Sequence, residues 1–228
     1  MSATDNPAAG TVRRIWVRAS ALAHGRPPDY DDAERVGVAV LLPWTNRTMA
    51  ESASALMATR AAHPCAIYCL EDDLGMGPLS LMSAALAGIR SDWVVYAAQD
   101  AFAGRYWLRF AVEALRARPV SRLLAFNDGK WFGRLAAFGM AQREWLRDLY
   151  GEHLFHPGYR RHYADVELSL IARQQQVMAY HPHALLVEAD FNKDGRPVNE
   201  ADRAHFLLRS SSGFDGHVTD SILRGEFG

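Results

Sequence analysis

The chain has 228 residues, of which 49% are hydrophobic and 22% charged, with a formal net charge of -1. This length suits one large domain with a real core rather than two α/β domains, and the balanced charge excludes a polyanion-binding surface, so no nucleic-acid partner is expected. No apolar run approaches the roughly 18 residues of a membrane span, and Met1 to Gly10 lacks the basic and apolar regions of a secretory signal, which points to a cytoplasmic protein without a transmembrane segment.

Residues 1–35 read as an N-terminal extension, with a polar start, a segment Ile15 to Leu22 without a clear period, and a turn-rich connector from Arg26 to Asp32. Val36 to Pro43 is predicted as the first core strand. Thr48 and Glu51 then have capping-box spacing for a helix that His63-Pro64 stops. Ala66 to Leu70 is the second strand. Cys65 and Cys69 flank it on one side, as core thiols of a reducing compartment rather than a metal pair. Gly75 to Pro78 forms a loop whose proline opens the helix Leu79 to Ala87. The apolar run Trp93 to Ala98 suits a parallel strand covered on both faces, and it ends in Gln99-Asp100.

Gly104 to Arg118 carries Leu108, Val112 and Leu115 on one helical stripe, closed by Pro119. Strands are expected at Leu123 to Phe126 and Leu135 to Met140, around the turn Asn127 to Lys130, and a helix at Gln142 to Tyr150 with Gly151 as its cap. A long loop from Glu152 to Tyr163, rich in His and Arg, leads into a helix from Ala164 to Gln176 whose first turn holds Asp165 and Glu167. Short apolar segments, Val177 to Tyr180 and Ala184 to Val187, flank His181-Pro182-His183, and Glu188, Asp190 and the turn Asn192 to Gly195 follow. Residues 196–228 read as a C-terminal tail, weakly patterned after Ser210.

Three strand ends carry the chemistry-bearing residues. Pro43-Trp44-Thr45-Asn46-Arg47 offers side-chain donors and a guanidinium for a base or phosphate. Glu71-Asp72-Asp73 offers carboxylates, and Asp100 stands just past a buried strand, where open α/β sheets bind ligands. A solvated turn and a helix cap explain such residues equally well one at a time. Neither a Gly-x-Ser-x-Gly elbow nor a Walker loop is present, so the common hydrolase nucleophile and phosphate cradle are excluded.

In this order, the Pro43 to Arg47 loop, the acidic Glu71 to Asp73 end and the Ala98-Gln99-Asp100 end resemble the GT-A-type glycosyltransferases, most of all their family 2 group. The resemblance spans about residues 36–190. It implies one α/β, Rossmann-like domain with a central mixed sheet flanked by helices, over residues 36–195, with a nucleotide half at 36–100 and an acceptor half at 101–195. It further implies transfer of a hexosyl group from a nucleoside-diphosphate sugar, UDP taken as the nucleotide, to an acceptor hydroxyl, with inversion and with Mn2+ or Mg2+ as cofactor. Pro43, Thr45, Asn46, Arg47, Glu71, Asp72, Asp73, Gln99 and Asp100 would bind substrate, with Asp72 or Asp73 reading the base or ribose. Asp100, His183 and Glu188 would hold the metal. Asp165, in the segment Tyr163 to Leu168, would be the catalytic base, with Glu167 as its alternate. The sequence departs from the family's Asp-x-Asp pattern at Ala98, so one anionic ligand is missing. A nucleotidyltransferase would want glycines after the first strand, which are absent; a non-catalytic nucleotide-sugar-binding relative is the other alternative, supported by Ala98.

Overall fold

Runs of buried residues build the middle of one sheet. In the computed structural model, which describes residues 11–24, 37–188 and 198–227, β1 (Val12–Arg18), β2 (Val38–Trp44), β3 (Cys65–Glu71) and β4 (Trp93–Tyr96) are parallel, in the spatial order β1-β3-β2-β4. Every residue of β2 is buried, as a strand covered on both faces requires. Beyond β4, β7 (Gly139–Gln142) runs antiparallel to β4 and β6 (Leu123–Asn127) antiparallel to β7. β8 (Met178–Glu188) is parallel to β6, and β5 (Ala101–Ala103) closes that side antiparallel to β8. This is the mixed α/β sheet expected, eight-stranded in the order β1-β3-β2-β4-β7-β6-β8-β5. The carboxyl ends of β2, β3, β4, β6 and β8 therefore meet at one edge.

The helices cover both faces. α2 (Arg47–Arg60) and α4 (Trp107–Ala117) pack on Val40, Leu42, Ile67 and Val95, where the buried Trp107 indole donates to the Met57 carbonyl at 3.0 Å and pins one helix to the other. α3 (Pro78–Leu86), α5 (Arg143–Tyr150), α6 (Ala164–Gln174) and α7 (Glu200–Ser211) cover Leu41, Tyr68, Val94 and Leu123 on the opposite face. Short helices α1 (Ala19–Ala23) and α8 (Ser221–Gly225) follow β1 and α7.

Several elements differ from the sequence reading, each for a physical reason. Val12–Arg18, which takes in the start of the patternless Ile15 to Leu22 segment, is an edge strand whose one covered side gives too few apolar letters for a visible period. The cap of α2 is Asn46, whose side chain accepts from the Met49 N–H at 3.2 Å, so the Thr48–Glu51 spacing is no capping box. Residues 178–188 form one strand through Pro182; the ladder to β6 is irregular there, and the Asn127 amide takes the Pro182 carbonyl at 2.8 Å. Of the strand expected at Leu135 to Met140, only its end is paired. The described parts of the expected tail belong to the core: Phe206, Phe214 and Val218 are all buried. Cys65 and Cys69 are buried free thiols on the α2 side, and burial pushes them up to about 12 and about 11. Among the described residues no helix is long and apolar enough to cross a membrane. The polar start, the 26–32 connector, Asp190 and the Asn192 to Gly195 turn lie outside the described residues.

Candidate active site

One glutamine joins two of the strand ends. Gln99 Oε1 accepts the backbone N–H groups of both Thr45 and Asn46 at 2.9 Å, which fastens the loop after β4 to the loop after β2. Asp100 comes next and is 5% exposed. Ala101 pairs with Glu188 across the β5–β8 ladder, which makes Asp100 a backbone neighbour of Glu188, and the Lys130 ammonium lies 3.9 Å from the Glu188 carboxylate. His183 is not brought there. It sits five residues earlier on β8, on the order of 15 Å away at strand rise, beside Phe110 of α4 at 5.5 Å, as His181 on the same strand face is at 5.3 Å. Of the three expected metal ligands, Asp100 and Glu188 are thus neighbours along the backbone ladder and His183 is apart from them. Among the described residues no group of three or more His, Cys, Asp or Glu can hold a metal. Two hard oxygen ligands fit a Mg2+ or Mn2+ that takes its remaining ligands from phosphates and water, and do not fit a closed protein cage.

The acidic end of β3 divides into three separate roles. Asp72 accepts the N–H groups of Met76 and Gly77 at 2.7 and 2.9 Å and so shapes the loop into α3. Asp73 accepts from the Ser20 N–H and hydroxyl at 3.0 and 2.6 Å at the start of α1, and these bonds hold its carboxyl below the ordinary range. Glu71 pairs at 3.2 Å with Arg18, itself mostly exposed, and is the acid least committed to the chain's own backbone. Asp72 and Asp73, the two expected to read a base or ribose, spend their oxygens on loop geometry. Pro43 lies within β2 opposite Leu70, while Arg47 pairs with Glu51 at 2.7 Å and sits over the Trp16 ring at 5.1 Å. Trp16 in turn meets Trp44 edge-on at 5.7 Å. Trp16 and Arg18 come from the unassigned edge strand, and their alternating aromatic and basic letters are the only signal that marks them.

On the acceptor side the structure separates Asp165 from Glu167. Tyr163 caps α6 in the left-handed region, at φ 66°, a strained entry that sets how the first turn faces. Asp165 is partly buried at that turn. Desolvation pushes its carboxyl up to about 6, opposed by the N–H groups of Asp165 and Val166 and assisted by the nearby Asp128 charge. Asp128, missed by the sequence reading, is 5% exposed; its Oδ1 accepts the Lys130 and Trp131 N–H groups at 2.9 and 2.8 Å. Its Asn-Asp-Gly context reads as a turn, which hides it.

Glu167 is fully buried and points the other way. The Arg209 guanidinium grips both its oxygens at 2.9 and 2.6 Å, and the Tyr150 and Tyr159 hydroxyls donate to them at 3.2 and 2.7 Å. A carboxylate so enclosed cannot reach an acceptor, which corrects its reading as the alternate base. Arg209 arrives from α7, and so does Asp202, which accepts the N–H groups of Arg160, Arg161 and His162 at 2.8, 2.9 and 2.8 Å. The segment expected as a tail therefore fixes the loop that leads to Asp165.

Solved structures share this architecture. S. aureus TarS superposes with a TM-score of 0.60 at 9% identity, over 82% of this chain and 41% of that one. The mannosyltransferase PcManGT from Pyrobaculum calidifontis, in complex with GDP-Man and Mn2+, gives 0.51 at 17% identity, over 76% and 60% of the two chains. Glucosyl-3-phosphoglycerate synthase from Mycobacterium tuberculosis, in complex with Mg2+ and UDP, gives 0.52 at 16%, over 83% and 84%. The chain thus has the GT-A-type fold, although it spans less than half of the TarS chain. No family model and no curated protein matches it.

Proposed function

We propose that the protein is a glycosyltransferase that moves a sugar from a nucleoside-diphosphate sugar, UDP-linked in the first instance, to an acceptor hydroxyl. The observation that carries this reading is the Gln99-fastened Thr45–Asn46 loop at the carboxyl edge of the sheet, with Asp100 as backbone neighbour of Glu188 past β4 and the raised carboxyl of Asp165 within the field of Asp128 past β6. Support comes from the fold shared with TarS, also solved with UDP-GlcNAc, and with the two enzymes bound to nucleotide and metal.

Glu71, Thr45, Asn46 and Arg47 face the nucleotide, with Trp16 as an aromatic wall. When bound, a divalent cation at Asp100 and Glu188 supplies positive charge for the departing diphosphate. A carboxyl titrating near 6 is ionised above neutrality yet basic enough to take a proton as the hydroxyl attacks. In the proposed displacement the acceptor O–H proton passes to Asp165, the oxygen bonds to the anomeric carbon, and the carbon–oxygen bond to the diphosphate breaks. Attack from the side opposite the leaving group gives inversion.

The test is a thermal-shift panel of nucleoside diphosphates and their sugars, followed by a transfer or donor-hydrolysis assay with and without Mn2+. A ligand at 100 times its dissociation constant adds about 2.7 kcal/mol, a shift of several degrees. Stabilisation with metal-dependent turnover is expected. Stabilisation without turnover would make the protein a binding relative, in keeping with Ala98, and no stabilisation by any member would remove the reading.

A further inference from the structure

A cavity lies at the other end of the strands from the candidate site. It has a volume of about 410 Å³ and is lined by residues around the amino ends of β2, β4 and β6, among them Val38, Trp93 and Ser121. Val38 and Thr45 stand at opposite ends of β2, so the cleft is roughly 20 Å from the nucleotide edge at about 3.3 Å per residue. That volume falls within the roughly 300–1,000 Å³ of small-molecule sites. Val112 and Leu115 of α4, Met140 and Val38 give it apolar walls.

Its charged groups are two guanidiniums and one carboxylate, and His63, Ser121 and Gln142 add neutral polar groups. Arg116 from the last turn of α4 and Arg122 at the start of β6 both line the cleft. Arg122 donates only to the backbone carbonyls of Pro119 and Ser121, at 2.9 and 3.3 Å, so neither of its bonds neutralises the charge. Burial and the Arg116 charge hold His63 below its ordinary range and hence neutral at pH 7. Ser121 also lines the cleft, 2% exposed, and its hydroxyl has no hydrogen-bond partner. Asp92 is the one acid in the lining.

We propose that this cleft is a second ligand site, taking a small monoanion with an apolar body, a carboxylate on an aromatic or branched hydrocarbon, apart from the nucleotide edge. Two guanidinium forks match a planar carboxylate, and the Val, Leu and Met walls match the hydrocarbon. Asp92 disfavours a second negative charge, which sets this site against the diphosphate that the other edge is proposed to bind.

The test uses the full chain and fluorine NMR of 4-trifluoromethylbenzoate, with 4-trifluoromethylbenzyl alcohol as the neutral counterpart. The benzoate signal is expected to broaden on adding protein, the alcohol signal much less, and Arg116→Gln to weaken benzoate binding about tenfold, the worth of one charge-assisted hydrogen bond. Arg116 is solvent-exposed, so the variant folds, and Arg122→Gln is the second probe of the same charge. A large excess of UDP with Mn2+ should leave the broadening unchanged. Absence of broadening, indifference to both substitutions, equal binding of the alcohol or displacement by UDP would each overturn the proposal. The outcome is independent of whether the protein transfers sugar, since no step of the test measures turnover.

Discussion

Replacing Asp165 by Asn separates a catalytic carboxyl from a helix-start feature, because the two roles change different observables in opposite directions. The carboxyl rises from 3.8 to about 6 in the fold, chiefly through desolvation. It therefore binds its proton more tightly folded than unfolded, so the disadvantage to folding grows as pH rises from about 3.8 to about 6 and is constant above that. At about 1.4 kcal/mol per tenfold in proton affinity, the full disadvantage is on the order of 3 kcal/mol at pH 8, with about half of it present at pH 5. Asn keeps an oxygen for the N–H groups of the first turn and removes the charge. Asp165→Asn should accordingly melt several degrees above wild type at pH 8, with a smaller gain at pH 5. Transfer from the donor identified in the thermal panel should meanwhile fall by roughly 10² to 10⁴, with donor affinity unchanged. Calorimetric melts at the two pH values and initial rates at saturating donor make the measurement. A variant that melts lower at pH 8 refutes the desolvation argument, and one that transfers at the wild-type rate refutes the base.

Asp100→Ala should remove the Mn2+-dependent part of UDP binding and leave the melt intact, as read by titration with and without metal; equal affinity in both conditions counts against the site. Gln99→Ala frees the Thr45 and Asn46 N–H groups, so donor affinity should drop several-fold and hydrogen exchange at those two amides should quicken. Glu167→Ala leaves the buried Arg209 guanidinium with only the exposed Asp215 and removes the acceptor of the Tyr150 and Tyr159 hydroxyls, and should cost about 3 kcal/mol in a urea melt, a loss that a surface acid at a helix start would not show.

The sequence by itself determined the central strands and the helices that follow them, because a doubly covered strand must be an unbroken apolar run and a two-faced helix must carry a stripe. β2, β3, β4 and α4 are legible for that reason, as is the placing of Asp100 just past a strand. What it could not settle is where a carboxylate points and what it meets. Asp165 and Glu167 are two residues apart on one helix, yet Glu167 is enclosed by Arg209 from 42 residues downstream and by two tyrosines, while Asp165 stands within the field of Asp128. Asp72, Asp73 and Glu71 are consecutive letters with three different partners, decided by a loop, a short helix and an edge strand. The β5–β8 register that makes Glu188 a backbone neighbour of Asp100, and the packing of His183 on Phe110 of α4, are contacts between distant segments. Such contacts depend on strand order and loop closure, which no local period encodes.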